Sequence, residues 1–364
     1  MKTPIIQFGT SRFLQAHADL FVDESLKNNN AGGHITVVQT TNNKERFNRL
    51  KFLSKGYPVH IKGFKNKVLI DEIKNINSIV RAFSTYKNWK EIEKIFINEV
   101  KFVFSNTGDT GFITNISDHK VAYDQSKSYP GKLLDLLYAR YKNNTNPITV
   151  FPLELIRKNG KTIKNITINL AKNRKLEKEF ISWIENKIIW VNSLVDRIVS
   201  EPIEPVGAVT EPYALWAIEN QPQLVLPCQH ECISVVSNLE PYERLKLHIL
   251  NLGHTVLADK WEKEKRPLNE SVAEILNNNE ILKYLNKIYY NEVIPVFKYY
   301  GLEDEAIKYV ETTIERFKNP FLKHPLRDII QNHHEKVLRR IVEFFRWSES
   351  KTKKLDFHEL KKIV

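Results

Sequence analysis

Lys246, Asn251 and His254 stand in one otherwise largely apolar segment, Glu243-Arg244-Leu245-Lys246-Leu247-His248-Ile249-Leu250-Asn251-Leu252-Gly253-His254-Thr255. At ~100° per residue the three fall within roughly a 140° arc of a helix, so they can face one pocket. A lysine there could pass a proton to or from a carbonyl or alcohol oxygen if burial and cationic neighbours made its ammonium more acidic. Asn251 could donate a hydrogen bond to the same oxygen as charge develops, and His254 could orient the substrate or the lysine. A solvated helix face would show the same polar stripe.

A second cluster is Arg316, Asn319, Lys323 and His324, within Glu315-Arg316-Phe317-Lys318-Asn319-Pro320-Phe321-Leu322-Lys323-His324. Asn before Pro disfavours the α region, so one helix should end here and another begin. The break would aim four polar side chains at a common space, and cations of this kind suit a carboxylate or phosphate. Helix-end charges complementing a dipole are the structural alternative.

A third set lies near the start. Phe8-Gly9-Thr10-Ser11-Arg12-Phe13 joins an apolar run to a helical pattern, where backbone amides at a helix N-terminus could meet a pyrophosphate. Only one glycine is present. The next apolar run ends at Gln39 with no Asp or Glu for the ribose hydroxyls of NAD, while Lys44 and Arg46 just beyond could take a 2′-phosphate. The residues therefore leave NAD and NADP both open. Ser105-Asn106-Thr107-Gly108 follows a third buried run, at the strand end where open α/β sheets bind ligands.

The elements that must carry these groups follow from the rest of the chain. Its 364 residues are 42% hydrophobic and 27% charged, as in globular proteins, and imply two domains. No apolar stretch approaches the ~20 residues that span a bilayer, and the N-terminal apolar run is soon cut by Arg12, His17 and Asp19, which points to the cytoplasm. Cys228 and Cys232 make neither a disulfide framework nor, with His230 between them, a convincing zinc site, so no metal is expected. The net charge of +12 is spread over scattered lysines with no nucleic-acid motif, which disfavours a nucleic-acid partner and any membrane role.

Strand-like runs at residues 4–8, 35–39, 101–105 and 148–151 alternate with helical segments, the pattern of a parallel sheet covered by helices. The opening pair reads as the first βα unit of a Rossmann fold. Residues 201–236 hold five prolines and no helical period, so they read as a connection. From Leu239 the pattern is helical, with Leu245, Ile249, Leu252 and Val256 on one stripe and Ile288, Val293, Val296, Ile307, Val310 and Ile314 in later ones. The expected organisation is an α/β Rossmann domain over residues 1–236 and a mostly α-helical substrate domain over 237–364.

Taken together and in order, these segments resemble the polyol-specific long-chain dehydrogenase family, which includes mannitol dehydrogenases and hexuronate reductases. Its GxGxFxRAH opening stands here as Gly9-Thr10-Ser11-Arg12-Phe13-Leu14-Gln15-Ala16-His17, with Ser11 and Gln15 departing. Its Lys-x4-Asn-x2-His motif is matched by Lys246, Asn251 and His254, which the resemblance makes the catalytic lysine, the oxyanion-polarising asparagine and the substrate-orienting histidine. Leu194-Val195-Asp196-Arg197-Ile198-Val199 is similar to a further family segment, in which Asp196 and Arg197 read as structural first.

Within that family three details are most similar to the tagaturonate (altronate) reductases. Phe104-Ser105-Asn106-Thr107 resembles their SNT loop, with Gly108-Asp109 in place of Thr-Glu. Pro152-Leu153-Glu154-Leu155-Ile156, followed by Asn159-Gly160, resembles their PCELI…NG segment and puts Leu155 where mannitol enzymes carry a second catalytic asparagine. Arg316 through His324 resembles RFxNPxxKH, and the Lys323-His324 pair in place of an acid favours a carboxylated sugar.

The resemblance thus implies an NAD-dependent oxidoreductase, NADP not excluded, acting on a sugar acid or polyol. The expected reaction is reduction of a keto-hexuronate such as tagaturonate or fructuronate. Lys246 would be the proton donor, and Arg316, Asn319, Lys323 and His324 the substrate-binding set. The expected cofactor set is Phe8, Gly9, Thr10, Ser11, Arg12, Phe13, Gln39, Ser105, Asn106 and Thr107. A mannitol or mannitol 1-phosphate dehydrogenase and a non-catalytic nucleotide- or RNA-binding relative are the alternatives.

Overall fold

The computed structural model describes residues 1–108, 110–351 and 355–364, with only the backbone described for residues 44–46. Asp109 and the side chains of Lys44 and Arg46 therefore lie outside the described residues. The chain forms two compact units. The first holds Met1–His60, Glu72–Thr210 and Ala214–Leu239, and the second Ile61–Asp71, Glu211–Tyr213 and Glu240–Val364.

In the first unit the strands are β1 (Ile5–Phe8), β2 (Ile35–Gln39), β3 (Tyr57–Lys65), β4 (Val68–Ile76), β5 (Ile79–Ser84), β6 (Phe102–Ser105), β7 (Thr149–Pro152) and β8 (Ile189–Trp190), the outer half of the β3–β4 pair belonging to the second unit. Six of them form a sheet in the order β5-β2-β1-β6-β7-β8, each neighbouring pair parallel. The four strands read from the sequence are all here, each within one residue of its expected start. β1, β2, β6 and β7 are buried along their whole length, as befits strands covered on both faces. On one face helices supply that cover, with Ile92, Phe96, Leu133, Leu137, Ile163 and Phe180 packed into one core with Ile6, Phe8, Val103 and Val150, and on the other Phe104 and Phe151 meet the Trp216 ring.

β1 pairs with β2 on one side and β6 on the other, so the strand order reverses at β1. That switch point brings together the two loops that follow β1 and β6, which is where such sheets bind ligands.

Residues 201–236 are more ordered than a connection. They follow β9 (Ser193–Asp196) and contain the second half of β10 (Val199–Pro202), with β11 (Ala208–Thr210), β12 (Leu215–Glu219) and β13 (Ile233–Val236). β12 pairs antiparallel with β9 and parallel with β13. Prolines and short strands hide such an element from a periodicity reading, because each run is too short to show alternation.

The second unit is mostly helical from Glu240, around a core that includes Leu245, Ile249, Leu252, Val256, Ile288, Val293, Val296 and Val310. Two excursions from earlier in the chain join it, a feature that one boundary at residue 236 does not provide for. Glu315 accepts from the Asn66 and Lys67 amides at 3.2 and 2.9 Å, Asn319 donates to the Lys62 carbonyl at 2.9 Å, and Arg316 pairs with Glu211. No helix among the described residues is long and apolar enough to cross a membrane.

Candidate active site

The segment that carries Lys246, Asn251 and His254 departs from a regular helix between the first two of them. An α-helical turn, Glu240–Leu245, passes into a π-helical stretch, Lys246–Asn251, and then into a second α-helix, Leu252–Lys263. In π bonding residue i carries its bond to residue i+5, so residues five apart come close to stacking instead of lying ~140° apart. The arc expected from 100° per residue thus narrows, and Lys246 and Asn251 approach one line along the axis.

Neighbouring side chains hold this loosened turn. Tyr289 donates to the Ile249 carbonyl at 2.9 Å, and the Asn251 carbonyl accepts from Thr255 Oγ1 and Arg340 Nη1, both at 3.1 Å. Tyr289 and Arg340 themselves stand on π-helical turns, Tyr289–Val293 and Leu338–Val342. Gly253 is required here: a Cβ at this position would lie 1.9 Å from the Tyr289 hydroxyl.

His254 is buried, 4.4 Å from the Phe317 ring and 4.8 Å from the His324 ring. Burial, then the charges of His324, Arg340, Arg316 and Lys336, hold its imidazole well below the ordinary range, so the ring is neutral. Its Nε2 is buried without a hydrogen-bond partner. His248, two residues from Leu250 on the same turn, has a different part: it donates from Nδ1 to the Arg340 carbonyl at 3.2 Å and stacks on Trp347. Burial lowers its pKa to about 3, and it belongs to the packing of the turn.

The expected substrate cluster separates into parts. Arg316 is buried, and its Nε and Nη2 meet the two Glu211 oxygens at 2.9 and 2.8 Å, with the Tyr213 ring 4.1 Å from the guanidinium. Its charge is committed to Glu211, a residue that no sequence pattern marked. Asn319 spends its amide on the Lys62 carbonyl and its oxygen on the Phe321 amide, which pins the excursion from residue 61. Lys323 is exposed, whereas His324 lies against His254.

In the first unit Gly9 has φ +129°, and a Cβ there would sit 2.5 Å from the Asn106 carbonyl oxygen, so the loops after β1 and β6 meet only because this residue is glycine. Ser11 caps the short helix Arg12–Ala16 by accepting from the Leu14 amide at 3.2 Å. Gln15 is buried and accepts from the Gly207 amide at 2.8 Å while donating to the Thr10 carbonyl at 3.3 Å. The two departures from the family opening are thus structural residues of the turn. Arg12 is also occupied, by Glu204 at 2.8 Å and the Gly207 carbonyl at 2.9 Å. The Phe8 side chain is core, and Phe13 stacks on His17.

Glu154 organises the second loop. Its Oε1 accepts from the amide and hydroxyl of Thr107 and its Oε2 from Ser105 Oγ, each at 3.0 Å, while Asn106 donates to the Leu153 carbonyl at 2.7 Å. Burial raises the Glu154 pKa, opposed by these hydrogen bonds. The signal was in the sequence, as the acid of Pro152-Leu153-Glu154, but its role shows only in three dimensions. Leu155 beside it is 62% exposed. Asn159 is fully buried and ties together the Pro152, Glu154 and Ser193 carbonyls.

These residues fit a dinucleotide. The Gly9 cradle leaves no side chain between the two loops, and Gly108 at φ +89° has nothing within 4 Å of a would-be Cβ. At the end of β2, Gln39 Nε2 donates to the Thr41 and Asn43 carbonyls, which fixes the amide and leaves Oε1 as a buried acceptor without a partner. That neutral oxygen suits a ribose hydroxyl.

Comparison with known proteins agrees with this architecture. Residues 3–226 match the mannitol dehydrogenase Rossmann domain and residues 238–364 the mannitol dehydrogenase C-terminal domain. An altronate oxidoreductase of Bacillus subtilis is 30% identical over 92% of this chain and 73% of its own length, and one of Halalkalibacterium halodurans 29% identical over 94% and 70%. Among solved structures, a D-sorbitol dehydrogenase superposes with a TM-score of 0.80 at 18% identity, covering 97% of this chain and 78% of that one. A Pseudomonas fluorescens mannitol 2-dehydrogenase, in ternary complex with NAD and D-mannitol, does so with 0.75 at 17%, covering 95% and 75%.

Proposed function

The chain belongs to the mannitol dehydrogenase family and is an NAD-dependent dehydrogenase or reductase; from that premise we propose that it interconverts a keto-hexuronate, such as tagaturonate or fructuronate, and the matching aldonate. The observation that carries this reading is the catalytic helix itself. Lys246, Asn251 and a neutral, buried His254 follow one another on a π-to-α transition, with the cations of Arg340, Arg316 and Lys336 pressing on the histidine. The relatives named altronate oxidoreductase support the choice of a sugar acid over a polyol.

Gly9, Thr10 and Ser11 would hold the pyrophosphate, Gln39 the adenosine ribose, and Ser105, Asn106 and Thr107 the nicotinamide end. When bound, NADH supplies the hydride for the keto carbon. Lys246, as the ammonium, gives its proton to the carbonyl oxygen as the C=O bond order falls, and the amine left behind is reprotonated from water. Asn251 donates to the same oxygen, where charge develops, and so favours the transition state over the ground state. His254 offers its unpartnered Nε2 to a substrate hydroxyl and fixes the ring of atoms against the lysine. In the reverse direction Lys246 is the base. The free Cys228 and Cys232 support a reducing compartment, and we place the enzyme in the cytoplasm.

The test is oxidation of NADH and NADPH by purified protein with tagaturonate, fructuronate, fructose and fructose 6-phosphate. Turnover confined to the uronates is expected. Turnover confined to the neutral or phosphorylated ketoses would overturn the substrate assignment and leave the family untouched.

A further inference from the structure

The adenosine end of the proposed cofactor crevice lacks the group that keeps NADPH out of many dehydrogenases. An acid at the end of the second strand holds the ribose hydroxyls of NAD and repels a 2′-phosphate. Here Gln39-Thr40-Thr41-Asn42-Asn43 stands in its place, with no acid. Gln39 is neutral, and its amide is fixed by the Thr41 and Asn43 carbonyls at 2.8 and 3.1 Å. The Asn43 carbonyl also accepts from the Phe47 amide at 3.2 Å, which ties the end of β2 to the helix Lys44–Leu53.

Two arginines come together beside this turn. Arg12 follows Ser11 in the loop after β1, and Arg49 stands on the helix after β2. Arg49 is half-buried, one turn before the buried Leu53, and among the described residues it has neither a hydrogen bond nor an ion pair. Arg12 is already engaged, by Glu204 at 2.8 Å and by the Gly207 and Pro205 carbonyls at 2.9 and 3.2 Å. Burial and then the like charge of Arg49 make the Arg12 guanidinium more acidic than usual, and Arg49 weighs on it more than the opposite charge of Glu204. Holding a second guanidinium near an occupied one, with no acid of its own, destabilises the empty crevice, and a phosphate beside both would offset that repulsion.

We propose that Arg49 binds the 2′-phosphate of NADPH, with Arg12 as the more distant second charge, so that the enzyme takes NADPH alongside NADH. The position favours this phosphate over the pyrophosphate. The helix that carries Arg49 grows from β2, whose end meets the adenosine ribose, whereas the pyrophosphate belongs over the Gly9 turn. Gln39 Oε1 serves a remaining ribose hydroxyl in either cofactor. The inference rests on the dinucleotide reading of the first unit and not on the identity of the sugar.

The experiment is calorimetric binding of NADH and of NADPH, with no sugar present, to wild type, Arg49→Gln and Arg49→Lys. Wild type is expected to bind both nucleotides with dissociation constants of the same order. Arg49→Gln should weaken NADPH about tenfold or more, the value of a lost charged hydrogen bond, and leave NADH, which has no 2′-phosphate, where it was. Arg49→Lys keeps the charge without the fork and should fall between, and it carries the comparison if the glutamine variant does not fold. Equal losses for the two nucleotides would move Arg49 to the pyrophosphate, and an unchanged NADPH affinity would detach it from the cofactor. Either result overturns the proposal, as does a wild type that binds NADH and not NADPH, and all three leave the keto-hexuronate reading standing. A wild type that binds neither nucleotide would remove the proposal together with the dinucleotide reading.

Discussion

The Tyr289 hydroxyl donates to the Ile249 carbonyl at 2.9 Å, so a buried side chain on one π-helical turn supports the backbone of another. Gly253 makes room for that hydroxyl. Gly253→Ala would force a Cβ to within 1.9 Å of it, and overpacking of this kind costs about 1–3 kcal/mol. Denaturant unfolding should show the loss, and kcat should fall with it because the displaced turn carries Lys246 and Asn251.

Lys246→Ala should lower kcat by at least ~100-fold, the lower end for loss of a positioned general acid. NADH binding, followed by its fluorescence, should persist, since the proposed cofactor residues lie in the other unit. Turnover near the wild-type rate would remove the lysine from the mechanism.

Arg316→Ala should act first on stability. It leaves Glu211 buried without its bidentate partner, and breaking such a pair costs about 3–5 kcal/mol. The measurement is the unfolding midpoint in denaturant. A variant as stable as wild type with a selectively raised KM would return Arg316 to the substrate.

Asp19 offers a pH test in the first unit. It is fully buried, and burial raises its pKa to about 7, partly offset by the hydrogen bond from Tyr57 at 2.8 Å. Between about pH 4 and 7 the folded state keeps a proton that the unfolded state has released, so Asp19 makes stability fall as pH rises through that window and level off above it. Asp19→Asn preserves an acceptor for Tyr57 and cannot ionise. The difference in Tm between variant and wild type should therefore grow in the variant's favour from pH 4 to pH 7. A constant difference would show that Asp19 does not carry the proton.

The legible part of the sequence was what burial alone dictates. β1, β2, β6 and β7 show as uninterrupted apolar runs because both faces are covered, and the stripe from Leu245 to Val256 shows because one helix face meets the core. The proposed catalytic trio was visible as a motif, but not its geometry, since nothing in Lys246-Leu247-His248-Ile249-Leu250-Asn251 announces an i+5 bond. Partners distant along the chain were invisible too. Arg316 reads as an available cation until Glu211, 105 residues earlier, is found against it. Ser11 and Gln15 look like losses from a glycine-rich loop, whereas a cap and a buried amide explain both.

A π-helical turn is an α-helix with one residue too many. Returning the stretch Lys246–Asn251 to regular α bonding, with no residue removed, would carry the lysine and the asparagine from near alignment back to ~140° apart. Stabilising selection or consensus design applied to this helix would therefore tend to repair it, and the repaired protein would be sturdier and inert. The extra residue is the part of the helix least supported by its own backbone, and the part on which the register of the reacting groups depends.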